Sequence, residues 1–116
     1  MEPNHETWQK RYGLTTCPAL KIDPAIPLTA QGVAVIYTQS DAGEKILLVI
    51  ESRTSGLRAQ CAKRLTSGKL PPAEQLTVSF QGATLPDPSP EAVHAACREQ
   101  VIFAGELRRE LRPAMR

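Results

Sequence analysis

The chain has 116 residues, of which 41% are hydrophobic and 22% charged, and its formal net charge is +2. This length suits one domain with its own core, and the composition is too apolar for intrinsic disorder. A charge of +2 cannot establish a polyanionic partner, so an argument for nucleic acid must rest on where the cations lie. Three cysteines without a Cys-x-x-Cys pair favour neither a disulfide framework nor a zinc knuckle. With no secretory signal or membrane span in the pattern, we expect a cytoplasmic protein without membrane association.

The first 28 residues predict a flap and an edge strand. Trp8 and Tyr12 are spaced i, i+4, which places both rings on one side of a short helix that packs on the body. From Cys17 to Pro27 the prolines exclude a helix interior. Leu20 and Ile22 alternate with polar residues there, which predicts a short edge strand.

The central part of the sequence predicts a β-hairpin. Gly32 to Tyr37 and Ile46 to Ile50 are aliphatic and β-branched runs, which favour strands. Between them, Ser40 to Glu44 contains Asp and Gly, which supply the turn conformations that other residues resist.

A helix rich in cations is predicted after the hairpin. Its apolar positions recur at helical spacing: Leu57, Cys61 and Leu65. We expect the helix to run from Thr54 to Leu70, with Thr54 or Ser55 as N-cap and Pro71-Pro72 ending it. Five cations and no acid occur from Arg53 to Lys69: Arg53, Arg58, Lys63, Arg64 and Lys69. They predict either a solvated helix face or a patch that contacts the phosphates of a nucleic acid, with DNA as the candidate partner.

The last third of the chain predicts a strand and the longest helix. Leu76, Val78 and Phe80 alternate with polar residues, as in a strand with one buried face that Gly82 ends or bulges. Ser89 as N-cap and Pro90 at the first helical position then predict a helix that continues to Pro113. Its expected apolar stripe is Val93, Ala96, Cys97, Val101, Ala104, Leu107 and Leu111.

This order of elements predicts an α+β fold, a small and largely antiparallel sheet covered by helices, in a single domain of residues 1–116. Motifs for phosphate loops, paired metal-binding histidines and serine nucleophiles are missing from the sequence. His94 and Cys97 are spaced i, i+3 but lack a second ligand pair. Glu99 lies off the apolar stripe, where a carboxylate on a rigid helix could hold a divalent cation.

Six segments occur in an order that has a known counterpart: Gly32-Val33-Ala34, Leu48-Val49-Ile50, Glu51-Ser52, Leu57-Arg58-Ala59-Gln60, Glu99-Gln100-Val101-Ile102 and Leu111–Arg116. Together, over residues 29–116, they resemble the GIY-YIG nuclease domain family. In that family a Gly-Ile-Tyr strand forms a hairpin with a Tyr-Ile-Gly strand. A helix with a catalytic arginine follows, and a later helix carries a metal-binding glutamate. The resemblance implies a GIY-YIG-like core after the first 28 residues.

The departures from the family pattern fall on the residues that carry its chemistry. The two tyrosines are replaced by Ala34 and Leu48, the arginine by Gln60, the second motif's glycine by Ile50 and the terminal asparagine by Arg116. Only Gly32 and Glu99 match. Since loss of a general base and of an electrostatic stabiliser each costs on the order of 10²-fold or more in rate, the resemblance implies a catalytically degenerate domain.

Three functions follow as hypotheses. The first is a degenerate domain that binds nucleic acid through the five cations. The second is a divergent metal-dependent endonuclease in which Arg58 and Glu99 are catalytic and Glu99 binds Mg²⁺, although Arg58 stands about 200° around the helix from Gln60. The third is a small interaction module or homodimer that uses the hairpin or the Trp8 and Tyr12 rings.

Overall fold

The computed structural model describes residues 7–41, 43–86 and 89–115, with the side chain of Thr54 left out. Its strands are β1 (Thr15–Pro18), β2 (Ala30–Ser40), β3 (Gly43–Glu51) and β4 (Leu76–Thr84). Its α-helices are α1 (Trp8–Arg11), α2 (Ile22–Ala25), α3 (Leu57–Leu65) and α4 (Pro90–Leu111), with short 3-10 turns at Ala19–Lys21, Arg53–Ser55 and Ala73–Gln75. All strand pairs are antiparallel and the sheet order is β1-β4-β2-β3. The predicted α+β fold class is confirmed.

The sheet buries apolar side chains on both faces, because successive residues of a strand point to opposite sides. On one face, Ala34 and Leu48 pack with Leu57 and Cys61 of α3. On the other face, Val33, Val35 and Tyr37 of β2 pack with Ala104 and Leu107 of α4. Helices α3 and α4 therefore cover opposite faces of the sheet.

The central hairpin forms as predicted, and its strands are longer than the apolar runs alone. Val33 pairs with Glu51 at one end and Ser40 with Gly43 at the other, with an irregularity between Ile36 and Tyr37. Polar residues near the turn extend the ladder because they are solvated on an exposed ribbon and still supply backbone hydrogen bonds.

Both aromatic rings of the N-terminal segment contact the body of the protein. The Trp8 ring lies edge-on to Tyr37 with centroids 5.2 Å apart, and the Tyr12 ring lies 5.7 Å from that of Phe103. The predicted strand position is wrong, because Leu20 and Ile22 lie in consecutive helical turns and the edge strand β1 precedes them. Pro24 sits in the first turn of α2, where a backbone N–H has no helical partner to lose.

The basic helix α3 is shorter than predicted at both ends. Neither Thr54 nor Ser55 is its N-cap; that position is Gly56, whose φ of 93° is accessible to glycine at no steric cost. The helix ends at Leu65, before the two prolines: the Ser67 N–H donates to the carbonyl of Arg64 at 3.2 Å, and the hydroxyl of Thr66 donates to the carbonyls of Ala62 and Lys63. A side-chain hydroxyl that occupies a terminal carbonyl competes with continuation of the helix.

Strand β4 does not end or bulge at Gly82 but continues to Thr84. Gly82 pairs with Gly32 of β2, and a Cβ added to Gly32 would lie 1.8 Å from the carbonyl oxygen of Gln81. The absence of a side chain at Gly32 therefore allows the backbones of β2 and β4 to approach closely at this position.

Helix α4 begins as predicted, with the Ser89 hydroxyl accepting a hydrogen bond from the Ala92 N–H and Pro90 at the first position. Its apolar stripe differs from the predicted one. Val101 is 56% exposed, whereas Gln100 is buried with Ala104 and Leu107. The buried face is rotated toward Gln100 because that amide joins a polar network beneath the helix.

Candidate nucleic-acid interface

A cleft of about 440 Å³ lies along the outer edge of β3, beside α3. Five cations line it, one of which, Arg108, is paired with Glu51. The other four define what we call the basic cleft: Arg53, Lys63, Arg64 and Lys69. Leu48, Ile50, Leu70 and Met115 contribute apolar lining. The 3-10 turn after β3 presents Arg53, and the last turn of α3 presents Lys63 and Arg64. The negative end of the α3 dipole favours cations at that last turn.

The charges of the basic cleft are not compensated by acids. Among the residues that the structure describes, the side chains of its four cations form no hydrogen bond or ion pair. The one acidic residue in the lining is Glu51, and its carboxylate accepts a hydrogen bond from the Arg108 guanidinium at 2.8 Å. Arg108 and Glu51 therefore offset each other, and the charges of the other four cations in the cleft stay uncompensated.

Arg58 does not belong to this surface, although it lies on the same helix. Its Nε donates to the carbonyl of Ile26 at 2.9 Å, and its Nη2 donates to the carbonyl of Asp23 at 2.5 Å. Both carbonyls lie at the end of α2, where a helix leaves its last carbonyls without internal partners. Arg58 therefore fastens α2 to α3. Four of the five cations predicted to bind nucleic acid share the cleft, and the fifth has a structural contact.

Glu99 lies in a second cavity of about 440 Å³, which we call the glutamine pocket, defined by Gln31, Gln81 and Gln100. Gly32 and Phe103 also line it. The pocket lies on the side of the sheet that α4 covers, and Arg58 projects from α3 on the other side. The structure does not bring together the two residues predicted to be catalytic.

The family motif positions are divided between the same two surfaces. Gly32 and Glu99, which match the GIY-YIG pattern, line the glutamine pocket. Leu48 and Gln60, which replace a tyrosine and the arginine, line the basic cleft. Ala34 is fully buried under α3. Since a water, a metal and a phosphodiester must meet at one point, this arrangement does not assemble the family's catalytic site.

A buried polar network, which no sequence pattern predicts, joins the end of the hairpin to α4. The Ser52 Oγ accepts a hydrogen bond from the Gly32 N–H at 3.1 Å and lies 2.7 and 2.6 Å from the amide oxygens of Gln31 and Gln100. A hydroxyl carries one proton, so it donates to one amide oxygen while the other amide turns its NH₂ toward the Oγ. Ser52 is fully buried, and no spacing in the sequence indicates that two glutamines converge on it.

Arg53 has an unusual backbone conformation for a residue with a side chain. Its φ is +53°, in the left-handed region, where a Cβ approaches the following carbonyl oxygen. The conformation turns the chain from β3 into α3. Strained residues of this kind concentrate at functional sites, and Arg53 lines both the basic cleft and a smaller neighbouring cavity. A sequence pattern without glycine or asparagine at this position gave no signal of it.

Two cysteines with raised pKa values, Cys61 and Cys17, are not among the residues that line the cleft. Burial, with a smaller contribution from Cys17, raises the pKa of Cys61 to about 12, and burial also raises the pKa of Cys17. Neither thiol is a nucleophile at neutral pH, because the thiolate is the reactive form. His94 and Cys97 line a smaller cavity with Glu51, and no metal-binding group of three or more ligands occurs within the described ranges.

Comparison of the chain with protein-family models, curated proteins and solved structures finds no match. The resemblance to the GIY-YIG family therefore stays a prediction from the motifs. Among the residues that the structure describes, no helix has the length and apolar character needed to span a membrane.

Proposed function

We propose that this chain is a non-catalytic nucleic-acid-binding domain that holds phosphates in the basic cleft. The observation that carries this proposal is the convergence of Arg53, Lys63, Arg64 and Lys69 on one cleft with no free acid among the lining residues described. Cations of this kind bind nucleic acid largely by displacing condensed counterions from phosphates. Contacts to phosphates position a protein on nucleic acid without reading its sequence, so the binding should be weakly sequence-dependent.

The divergent nuclease is less well supported than binding alone. Arg58 donates to two backbone carbonyls and Glu99 lies on the opposite side of the sheet. Incubation of plasmid with the protein and Mg²⁺ should give no cleavage above that of the Glu99→Ala variant. Cleavage by the unchanged protein that disappears in Glu99→Ala would contradict a purely binding role.

Fluorescence anisotropy with a labelled 30-base-pair duplex and with a single strand of the same length tests binding directly. If all four cations contact phosphates, log K should fall with log salt at a slope of about −3 to −4 on duplex DNA. Between 50 and 200 mM salt this slope weakens binding about 100-fold. Absence of binding to either DNA at 50 mM salt would refute the proposal.

Charge-matched variants separate the cleft from general electrostatic attraction. Lys63→Ala with Arg64→Ala removes two cations from the cleft. Lys21→Ala with Arg109→Ala removes two exposed cations that are not among its lining residues. Both double variants have the same net charge. We expect the first to weaken binding at least tenfold and to reduce the salt slope by about 2, and the second to change affinity by less than about threefold. Equal losses in both would mean that the cleft is not the binding site.

A further inference from the structure

The basic cleft is a bounded concavity, and this shape bears on which part of a nucleic acid it takes. Its volume of about 440 Å³ lies within the range of about 300 to 1,000 Å³ typical of small-molecule sites. The edge of β3 closes one side, α3 and the loop to Leu70 close another, and Met115 lies against the apolar lining. A duplex presents a continuous ridge of phosphates along its whole length, whereas a bounded cleft of this size admits a short piece of one strand.

The charge in the cleft also favours a phosphate of high charge. The four cations that lack acid partners share one cavity. A phosphodiester inside a strand carries one negative charge, whereas a phosphomonoester carries about −1.5 to −2 at pH 7 and has three strong acceptor oxygens. The phosphomonoester therefore offsets more of the positive charge in the same volume and can accept from several cations at once.

The lining offers little to a base. Among the described residues that line the basic cleft there is no aromatic side chain. Base stacking on aromatic rings is the main means by which proteins hold the interior of a single strand. The polar side chains beside the cations, Gln60 and Ser67, can donate or accept single hydrogen bonds but provide no stacking surface. Recognition in this cleft is consequently recognition of phosphate.

From these three features we infer that the basic cleft takes the terminal phosphomonoester of a nucleic-acid strand in preference to phosphodiesters along it. This inference rests on the proposed nucleic-acid-binding function and specifies its ligand. Lys63 and Arg64 on α3, Lys69 in the following loop and Arg53 in the turn after β3 would surround the terminal phosphate. The shared ligand chemistry, a phosphomonoester, also occurs in free nucleotides and in inorganic phosphate.

The test compares one DNA sequence with three ends. Fluorescence anisotropy at 100 mM salt measures binding of a 20-base strand that carries a 5′-phosphate, a 3′-phosphate or hydroxyls at both ends, each with an internal label. We expect at least tenfold tighter binding when either terminal phosphate is present. We also expect Lys63→Ala with Arg64→Ala to abolish that preference and Lys21→Ala with Arg109→Ala to preserve it.

Competition distinguishes the sources of the phosphomonoester. Deoxyadenosine 5′-monophosphate and inorganic phosphate are titrated against the bound phosphorylated strand, with deoxyadenosine as the control without phosphate. Displacement by the monophosphate at millimolar concentration, without displacement by deoxyadenosine, supports the inference. Equal affinity for all three strand ends, with the cleft variant weakening each alike, overturns the inference and leaves the proposed function standing. Absence of binding to every strand at 50 mM salt overturns both.

Discussion

Because the backbone at Arg53 is left-handed, we predict that Arg53→Gly is more stable than Arg53→Ala, while either substitution weakens DNA binding. In the left-handed region a residue with a Cβ costs about 1–2 kcal/mol. Glycine avoids this cost, but it gives the unfolded chain more conformational freedom, which lowers the stability of the folded protein by about 0.5–1 kcal/mol. Arg53→Gly should therefore be more stable than Arg53→Ala by about 0.5–1 kcal/mol, although both lose the same guanidinium. Urea denaturation of the two variants measures the difference, which corresponds to about 2–6 °C in Tm.

The same two variants should bind DNA with equal, reduced affinity, because each removes one of the four cations of the basic cleft. Arg112 supplies a matched control. It also has a left-handed φ, +49°, at the end of α4, but it does not line the cleft. Arg112→Gly should gain stability without losing affinity, since glycine is the preferred residue at that helix position.

Two outcomes would refute this reasoning about Arg53. If Arg53→Gly and Arg53→Ala unfold at the same urea concentration, the backbone at Arg53 carries no strain that glycine relieves. If Arg53→Gly keeps the full affinity and the full salt slope, its guanidinium does not contact phosphate and the cleft has three working cations. The first result would leave the proposed function intact, whereas the second would remove Arg53 from the proposed binding surface.

Three further predictions concern the rest of the fold. Ser52→Ala leaves two buried amides and the Gly32 N–H without their partner, so it should lower the free energy of unfolding in urea by about 1–3 kcal/mol. Ser40→Ala, at an exposed position, should change that free energy by less than about 0.5 kcal/mol. Equal losses in the two variants would mean that the network contributes nothing to stability. Because the pKa of Cys61 is raised to about 12 from an ordinary value of 9.0, the unfolded chain releases its proton first and stability should fall as pH rises from 9 toward 12, by up to about 1.4 kcal/mol per pH unit. Denaturation at pH 8 and 10 should show a smaller fall in Cys61→Ala. Gly32→Ala should unfold the protein or cost about 3 kcal/mol or more, since its Cβ would meet backbone, whereas Gly105→Ala in α4 has open space and should gain about 1 kcal/mol; similar Tm values for the two would contradict this.

The local elements were largely predictable from the sequence because their causes are local. The two β-branched runs form the central hairpin, and the Ser89 cap with Pro90 starts α4 where the pattern placed it. Tyr37 lies on the opposite face from Ala34, as the alternation of a strand requires. Four of the five cations predicted from one segment line one cleft, and three of them lie in the last turn of α3 or in the loop after it, which stay close in space.

Features that depend on contacts between distant segments were not predictable. Arg58 donates hydrogen bonds to carbonyls more than thirty residues earlier in the chain, which its position in the sequence does not indicate. Its charge alone predicted a binding role, and these hydrogen bonds do not support that role. Gln100 is polar and falls outside the predicted apolar stripe, yet it is buried because Ser52 reaches it from the hairpin. The separation of Glu99 from Arg58 follows from which face of the sheet each helix covers, and motif spacing does not specify that choice.

The outer edge of β3 has a bearing on self-association. Three of its carbonyls are already occupied: Ile46 and Leu47 accept from the backbone of Ala114 and Met115, and Val49 accepts from Arg108. An edge with free carbonyls is a template on which another copy's strand can add. Here such addition would first have to displace two backbone hydrogen bonds and a guanidinium. The homodimer hypothesis therefore cannot rest on continuation of the sheet at β3, and a dimer would need a different surface. Size-exclusion chromatography with light scattering, before and after removal of residues 113–116, would show whether those residues keep separate copies apart.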